Sequence, residues 1–310
     1  ISSEQLLIRT VLPILPLLKM EIDQTLNEHA RLHLVALALP EKQEEILYTD
    51  QTEKVISVFL KEDGVLFSGF VEKIICKKEN QFLQIEIEGI SATERLDRYK
   101  KRQSFQNTGM TYRQVIHKVL TGQDQVRFRW NLKEDRAIGV PLIQYDETDW
   151  TFLKRLCSHF HESLFSDCRT RHPVFTFGID HGKNRKVDDH VICGAGINNK
   201  AFFLRAETKE NWQVGDCIFY EGGNYHVYQK KAMFGKGELT FIYHLGEKQV
   251  YRQSKIYNKM LAGIRVEGTI RRTIEEMVYL QLDFDQEERA DHPWFWAPET
   301  NTLCYCMPEP

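Results

Sequence analysis

The chain has 310 residues, 42% hydrophobic and 11% aromatic, which is enough for more than one packed core and too apolar for wholesale disorder. Its 41 basic and 44 acidic residues leave a net charge of −3, which gives no electrostatic case for nucleic acid or an anionic membrane. The early apolar run VLPILPLLKM (11–20) carries two prolines and falls far short of the roughly 20 residues a membrane-spanning helix needs. With no basic leader and no small-residue cleavage site, the sequence reads as a soluble protein made in the cytoplasm.

Strand patterns dominate up to about residue 95. EHARLHLVALAL (28–39) fits either period and is read as strand, because Leu32, Leu34 and the residues after them satisfy a two-residue repeat. VISVFL (55–60) and VLFSGFVEKII (65–75) flank KEDG, a hairpin connection ending in glycine. In FLQIEIEGI, Leu83, Ile85 and Ile87 face one way and Gln84, Glu86 and Glu88 the other, the mark of antiparallel sheet with one wet face. MTYRQVIHKVLTG predicts a helix capped by Thr111 and ended before Gly122, with Val115, Ile116, Val119 and Leu120 as its stripe. A second helix follows QYDETDW, capped by Thr148 or Asp149. It buries Trp150, Leu153, Leu156, Cys157 and Phe160 and leaves Lys154 and Arg155 to solvent.

Strand character returns after about residue 170. WQVGDCIFYEGGNYHVYQKKAMF reads as strand, turn and strand, with Gly222 and Gly223 supplying the turn, and GELTFIYHL continues the meander. GAGINN (194–199) reads as a loop. From about residue 263, IRVEGTI and MVYLQLDF alternate, and DQEERADHP loops towards CYCMPEP, an ending without a polar tail that is read as the truncation of a longer chain. No repeat of 20–50 residues is evident.

Zinc-capable side chains gather at Cys157, His159, His161, Cys168 and His172, but residues two apart on a helix point about 200° apart, so Cys157 and His159 cannot chelate from one face. Cys157 with His161, joined by Cys168 and His172, is the weak candidate that spacing leaves. The expectation is a core cysteine beside surface histidines, with no metal and no cofactor. Asp146, Glu147 and Asp149 match helix-start electrostatics better than acid–base catalysis, which needs a desolvating pocket and a partner. Replacing Glu147 or Asp149 by Ala is therefore expected to lower folding stability. GxSxG, GxGxxG, GxxxxGK[ST] and HExxH are all missing. RYKKR (98–102) is read as a solvated face or a protein contact. Of the seven cysteines, Cys76, Cys193 and Cys217 sit singly in apolar runs and are read as small buried hydrophobes, while Cys304 and Cys306 are too close for an ordinary disulfide.

Taken in order, these segments resemble the VgrG proteins of type VI secretion systems and the tail-hub, late-control D-like proteins of contractile phages. QYDETDWTFLKRL looks like the family's signature, matched at Gln144, Tyr145, Glu147, Thr148, Asp149, Phe152 or Leu153, Arg155 and Leu156, with Trp150 inside it. LFSGFVEKI is similar to a first-barrel strand with a central glycine, here Gly69. RQSFQNTGMTYRQVIHKVL looks like the segment leading into the family's helix. WQVGDCIFYEGG resembles the second barrel's turn through Gly215 and Asp216. GTIRRT, beginning at Gly268, with the strands after it resembles the OB-fold that opens the spike, in wording closer to Gram-positive prophage or injection-system versions.

The resemblance implies a mainly β fold with a few helices (α+β): two barrel-like β domains of tail-hub type followed by an OB-fold-like segment. The implied division is a first hub domain at 1–100, a helix-containing middle at 101–170, a second hub domain at 171–255 and the spike's start at 256–310. It also implies a non-enzymatic homotrimer that adapts a sixfold tail tube to a threefold spike. The implied partners are the tail tube protein, baseplate or spike-tip proteins and an effector, with a membrane met only by puncture. The alternatives are a cell-wall or metal-dependent hydrolase at the puncturing tip, and an OB-fold module for carbohydrate or oligonucleotide.

Overall fold

In a computed structural model of the chain, residues 5–48, 54–79, 82–179, 182–198 and 201–296 are described. Cys304, Cys306 and the rest of 297–310 lie outside them, as does Asn199. The strands begin with β1 (Leu6–Thr10), β2 (Leu17–Thr25), β3 (Arg31–Ala38), β4 (Val55–Leu60), β5 (Gly64–Glu79) and β6 (Phe82–Ser91), with α1 (Gln43–Tyr48) between β3 and β4. Next come β7 (Lys100–Phe105), α2 (Tyr112–Val119), β8 (Arg127–Trp130), β9 (Leu142–Thr148) and α3 (Asp149–Ser158). Then follow β10 (Leu164–Ser166), β11 (Val174–Phe177), β12 (Asn184–Lys186), β13 (Ile192–Asn198), β14 (Ala201–Thr208), β15 (Cys217–Tyr220), β16 (Gly223–Gly235) and β17 (Glu238–Gly246). The last are β18 (Gly268–Ile274), β19 (Met277–Leu282) and β20 (Pro293–Phe295). The fold is mainly β with a few helices, and among the described residues no helix is long and apolar enough to cross a membrane.

Two compact units emerge. The first comprises Ile1–Arg95, Asp124–Asn131 and Cys157–Lys255. Its main feature is a 12-stranded sheet in the order β1-β4-β5-β6-β3-β2-β16-β17-β14-β13, with β15 beside β16 and β12 beside β15. Alternation in the sequence aligns laterally across this sheet. Ile87 pairs with Leu34, Leu34 with Met20, Met20 with Phe234 and Phe234 with Leu239, a buried apolar row crossing five strands. Such cross-strand rows are the unit of sheet stabilisation. The opposite face is wet and carries cross-strand ion pairs: Lys77 with Glu86 at 2.6 Å, Lys73 with Glu88 at 3.2 Å, and Lys231 with both Glu21 and Asp23.

The second unit comprises Leu96–Gln123, Leu132–Leu156 and Ile256–Pro310. Here β7 pairs antiparallel with β9, and β18, β19 and β20 form a three-stranded sheet. The Ser104 amide donates to Asp285 Oδ1 at 2.6 Å, and Arg289 Nη1 donates to the Ser104 carbonyl at 2.6 Å, which tie β7 to the loop after β19.

Several sequence expectations are corrected. GAGINN is not a loop, since 194–198 lie in β13, where small residues keep extended backbone against β14. The β15–β16 turn uses Glu221 (φ 44°) and Gly222 (φ 80°), both left-handed as a two-residue hairpin of this twist requires, and Gly223 opens β16 instead. The helix after QYDETDW ends at Ser158, so Phe160 lies outside it, while Phe152 is fully buried. IRVEGTI becomes strand only from Gly268. Leu120 is the half-buried C-cap of α2, whereas Thr111 caps the other end with a reciprocal capping box to Gln114. Cys193 is exposed, and Cys76 and Cys217 are half-buried, Cys76 packing against the core beside Ile85 without being closed off from solvent.

Candidate functional site

Gln144, Glu147 and Asp149 all face inward although their spacing breaks a two-residue period. The reason is a β-bulge. Lys101 pairs with Glu147 and Arg102 with Tyr145, leaving Asp146 as the extra residue, at φ 50°. The inserted residue resets the alternation, so buried positions fall at 142, 144, 147 and 149. Asp146 itself turns out to the Arg102 guanidinium, with Nε–Oδ1 at 2.8 Å and Nη2–Oδ2 at 3.0 Å. That pairing holds the Asp146 carboxyl below the usual carboxylate range. Arg102 also lies over the Tyr145 ring, 4.6 Å from its centroid, and Asn258 Nδ2 donates to the Tyr145 carbonyl at 2.8 Å.

Glu147 and Arg155 form a fork-to-fork pair, with Nε–Oε1 at 2.9 Å and Nη2–Oε2 at 2.7 Å. Arg155 Nη2 also donates to the Ile143 carbonyl at 2.6 Å, and its guanidinium lies 4.8 Å over the Phe152 ring. Both side chains are under a tenth exposed. Arg155 is therefore a buried partner, and the expectation that solvent takes it is wrong. The helical stripe could not reveal this, because the matching carboxylate sits on the preceding strand.

Asp149 is the second anchor. Its carboxylate accepts from Lys101 Nζ at 2.6 Å, from Gln144 Nε2 at 3.0 Å and from Gln123 Nε2. Gln144 Nε2 also donates to the Glu147 carbonyl at 3.0 Å, and Gln144 Oε1 accepts from Gln103 Nε2 at 2.6 Å. Thr148 caps α3, accepting the Thr151 amide at 3.1 Å while its hydroxyl donates to the Asp97 carboxylate. Trp150, Leu153 and Leu156 are buried at 1% exposure or less. Two carboxylates and two cations thus neutralise each other, and the Gln123 and Gln144 amides add further donors to Asp149. This geometry is suited to locking a strand-to-helix junction. Lys101, Gln103, Gln123 and Phe152 belong to it as well. Lys101 was hidden in RYKKR, whose basic run reads as a surface until β7 is paired with β9.

The zinc-capable residues stand elsewhere. Cys157 is wholly buried, and burial pushes its thiol far up. Cys168 is also buried, with its thiol pushed up to about 12 by burial, accepting from Gln24 Nε2 at 2.8 Å and donating to the Leu66 carbonyl at 3.4 Å. His161 is exposed at φ 57°, its Nδ1 3.2 Å from the Gln253 carbonyl, and His172 is exposed. Among the described residues no three or more His, Cys, Asp and Glu side chains gather to hold a metal.

The remaining singled-out positions have local steric or hydrogen-bond roles. A Cβ at Gly69 would lie 2.2 Å from the Ile90 carbonyl oxygen, and one at Gly268 would lie 2.5 Å from that of Gln281. Gly215 takes φ 100°. Buried Asp216 accepts the Lys183 amide at 2.8 Å, Arg185 Nε at 2.8 Å and the Gln213 amide at 3.1 Å.

No protein-family model and no curated protein sequence matches the chain. Solved structures do. The E. coli c3393 protein, a component of the type VI secretion system with structural similarity to the T4 bacteriophage tail proteins gp27 and gp5, aligns at TM-score 0.68 and 17% identity. That alignment covers 95% of this chain and 91% of that one. The tail protein of Neisseria meningitidis MC58 aligns at TM-score 0.61 and 12% identity, covering 80% and 97%. The 43 kDa tail protein of prophage MuSo2 from Shewanella oneidensis aligns at 0.61 and 11%, covering 82% and 99%. At these identities the likeness is one of fold: the chain is built as phage tail and type VI secretion tail-like proteins are built.

Proposed function

We propose that the protein is a non-enzymatic hub of a contractile injection machine, adapting a tail tube to a spike. The observation that carries this reading is the alignment with the type VI secretion component over 95% of the chain. In this reading the chain is made in the bacterial cytoplasm and assembles as a homotrimer with tail tube, baseplate or spike-tip proteins and an effector, in a Gram-positive prophage or injection system. Residues 1–100 and 171–255 are its two barrel-like hub portions, 101–170 its middle segment and 256–310 the OB-fold-like start of the spike. The neutralised network at Glu147, Asp149 and Arg155 suits a scaffold, because its polar atoms are spent on one another. Self-assembly is supported by the two ends of the 12-stranded sheet, β1 and β13, whose outer edges have no strand partner among the described residues.

Light scattering on the full-length protein tests the proposal. Three copies should give about three times the 36.5 kDa of this chain, increased by whatever the full-length protein adds. A stable monomer of the full-length protein would overturn it.

A further inference from the structure

Within the second unit, β7, the end of α2 and the loop after β19 enclose a cleft of about 490 Å³. Its walls carry five cations: Lys100, Lys101 and Arg102 from β7, Lys118 from the last turn of α2, and Arg289 from the loop, with Glu287 opposite. Three of these cations are already engaged. Lys101 pairs with Asp149 at 2.6 Å, Arg102 with Asp146, and Arg289 with Glu287 at 3.3 Å and the Ser104 carbonyl. Lys100 and Lys118 are exposed and make no ion pair among the described residues.

The end of α2 would ordinarily bring bare carbonyls and a partial negative charge to this wall. Most of them are taken: Ile116 accepts from the Leu120 amide, His117 from the Thr121 hydroxyl and Lys118 from the Thr121 amide, and the C-cap Leu120 accepts from the Gln123 amide. The wall therefore presents the Lys118 ammonium. Two lysines without an ion pair among the described residues, Lys100 feeling only the field of the Asp146 carboxylate already held by Arg102, stand on different walls of a cleft whose size suits a few residues of extended chain. The carboxylates already seated on Lys101 and Arg102 show that this wall accepts carboxylate geometry. A nucleic acid would need a longer row of phosphate contacts than two lysines provide, on a chain with net charge −3.

We infer that this cleft binds an acidic peptide segment of a partner protein, with carboxylates on Lys100 and Lys118. The inference needs only the second unit's own geometry and stands apart from the hub reading.

The test is fluorescence anisotropy of fluorescein-labelled hexaglutamate with the full chain at about 50 mM salt, where screening is modest. The double variant Lys100→Glu/Lys118→Glu should bind about tenfold more weakly, or worse, and Lys100→Ala/Lys118→Ala should lose an intermediate amount. Reversing two exposed lysines elsewhere, Lys133→Glu/Lys248→Glu, should leave affinity unchanged within about twofold. Matching thermal midpoints for all variants would show that the fold is intact. No binding by the unaltered chain would overturn the inference. So would equal losses in the two charge-reversal variants, or labelled hexathymidine binding as tightly with the same dependence on Lys100 and Lys118.

Discussion

Glu147 and Arg155 are worth more as a pair than either is alone, because each was desolvated to meet the other. Removing one partner of a buried pair leaves an uncompensated charge, which costs about 3–5 kcal/mol. Glu147→Ala should therefore lower unfolding free energy by about that amount. The double change with Arg155→Ala should cost clearly less than the two single losses added together, since no charge is then stranded. Denaturant unfolding of the four species measures the coupling, and additive losses would show that the pair contributes nothing as a pair. Lys230 poses the opposite case, a buried cation that forms no ion pair among the described residues. Its ammonium donates to Asn211 Oδ1 and lies 5.3 Å from the Phe241 ring centroid. Burial lowers it to about 8 from 10.5, outweighing Cys168, Asp63 and Asp216, which raise it, while Arg169 adds to the lowering. Below pH 8 folded and unfolded chains both hold the proton, so the whole cost of burying the charge is present. Between about pH 8 and 10.5 only the unfolded chain keeps it, and the contribution of Lys230 to stability rises by roughly 3 kcal/mol. Cysteines and tyrosines titrate nearby, so the readout is the unaltered chain minus Lys230→Met. That difference should climb across the window, and a flat difference would rule out a buried ammonium.

At the scale of elements, legibility followed locality. Strand β6 announced itself because Leu83, Ile85 and Ile87 recur with strict period 2 and all end buried. Helix α2 was readable from Thr111, because capping is settled within four residues. β13 was missed because glycine-rich sequence has low strand preference, and only pairing with β14 overrides that. The bulge at Asp146 was invisible for a related reason: one chain shows no partner strand against which an extra residue can be counted. The inward set Gln144, Glu147 and Asp149 was thus identifiable by resemblance and not by period. Gly69 makes the element-level constraint testable. β5 passes so close to β6 that a Cβ would meet the Ile90 carbonyl oxygen, a backbone atom that moves only if the ladder moves. Gly69→Ala should destabilise by about 1–3 kcal/mol, as overpacking does, whereas Gly64→Ala, with open space around it but φ 79°, should lose stability through strain alone. Urea midpoints distinguish them, and hydrogen exchange of the β5–β6 amides should quicken only for the Gly69 variant.

For the whole molecule, the question is what covers the ends of the large sheet. β1 and β13 stand about 190 residues apart in sequence yet close the same strand path at opposite ends. Leu7 on β1 is 46% exposed, Ile197 on β13 is 75% exposed, and Phe202 just beyond is 48% exposed. Soluble proteins blunt such edges with charge or short strands; β1 has five residues and an exposed Arg9, but Leu7 and, on β13, Ile197 present apolar side chains as well. A second copy offers the complementary edge: β1 of one chain against β13 of the next is a head-to-tail contact, which closes into a ring if the rotation permits. Lysine at either position would put a charge where a neighbouring strand must dock while sparing the buried rows, which lie on other side chains. On the proposed trimeric assembly, Leu7→Lys and Ile197→Lys should each shift the full-length protein from trimer to monomer by light scattering, with the thermal midpoint little changed. An unchanged mass in both variants would place the contact between copies on some surface other than the sheet edges, and the two exposed leucine and isoleucine side chains would then have no role in assembly.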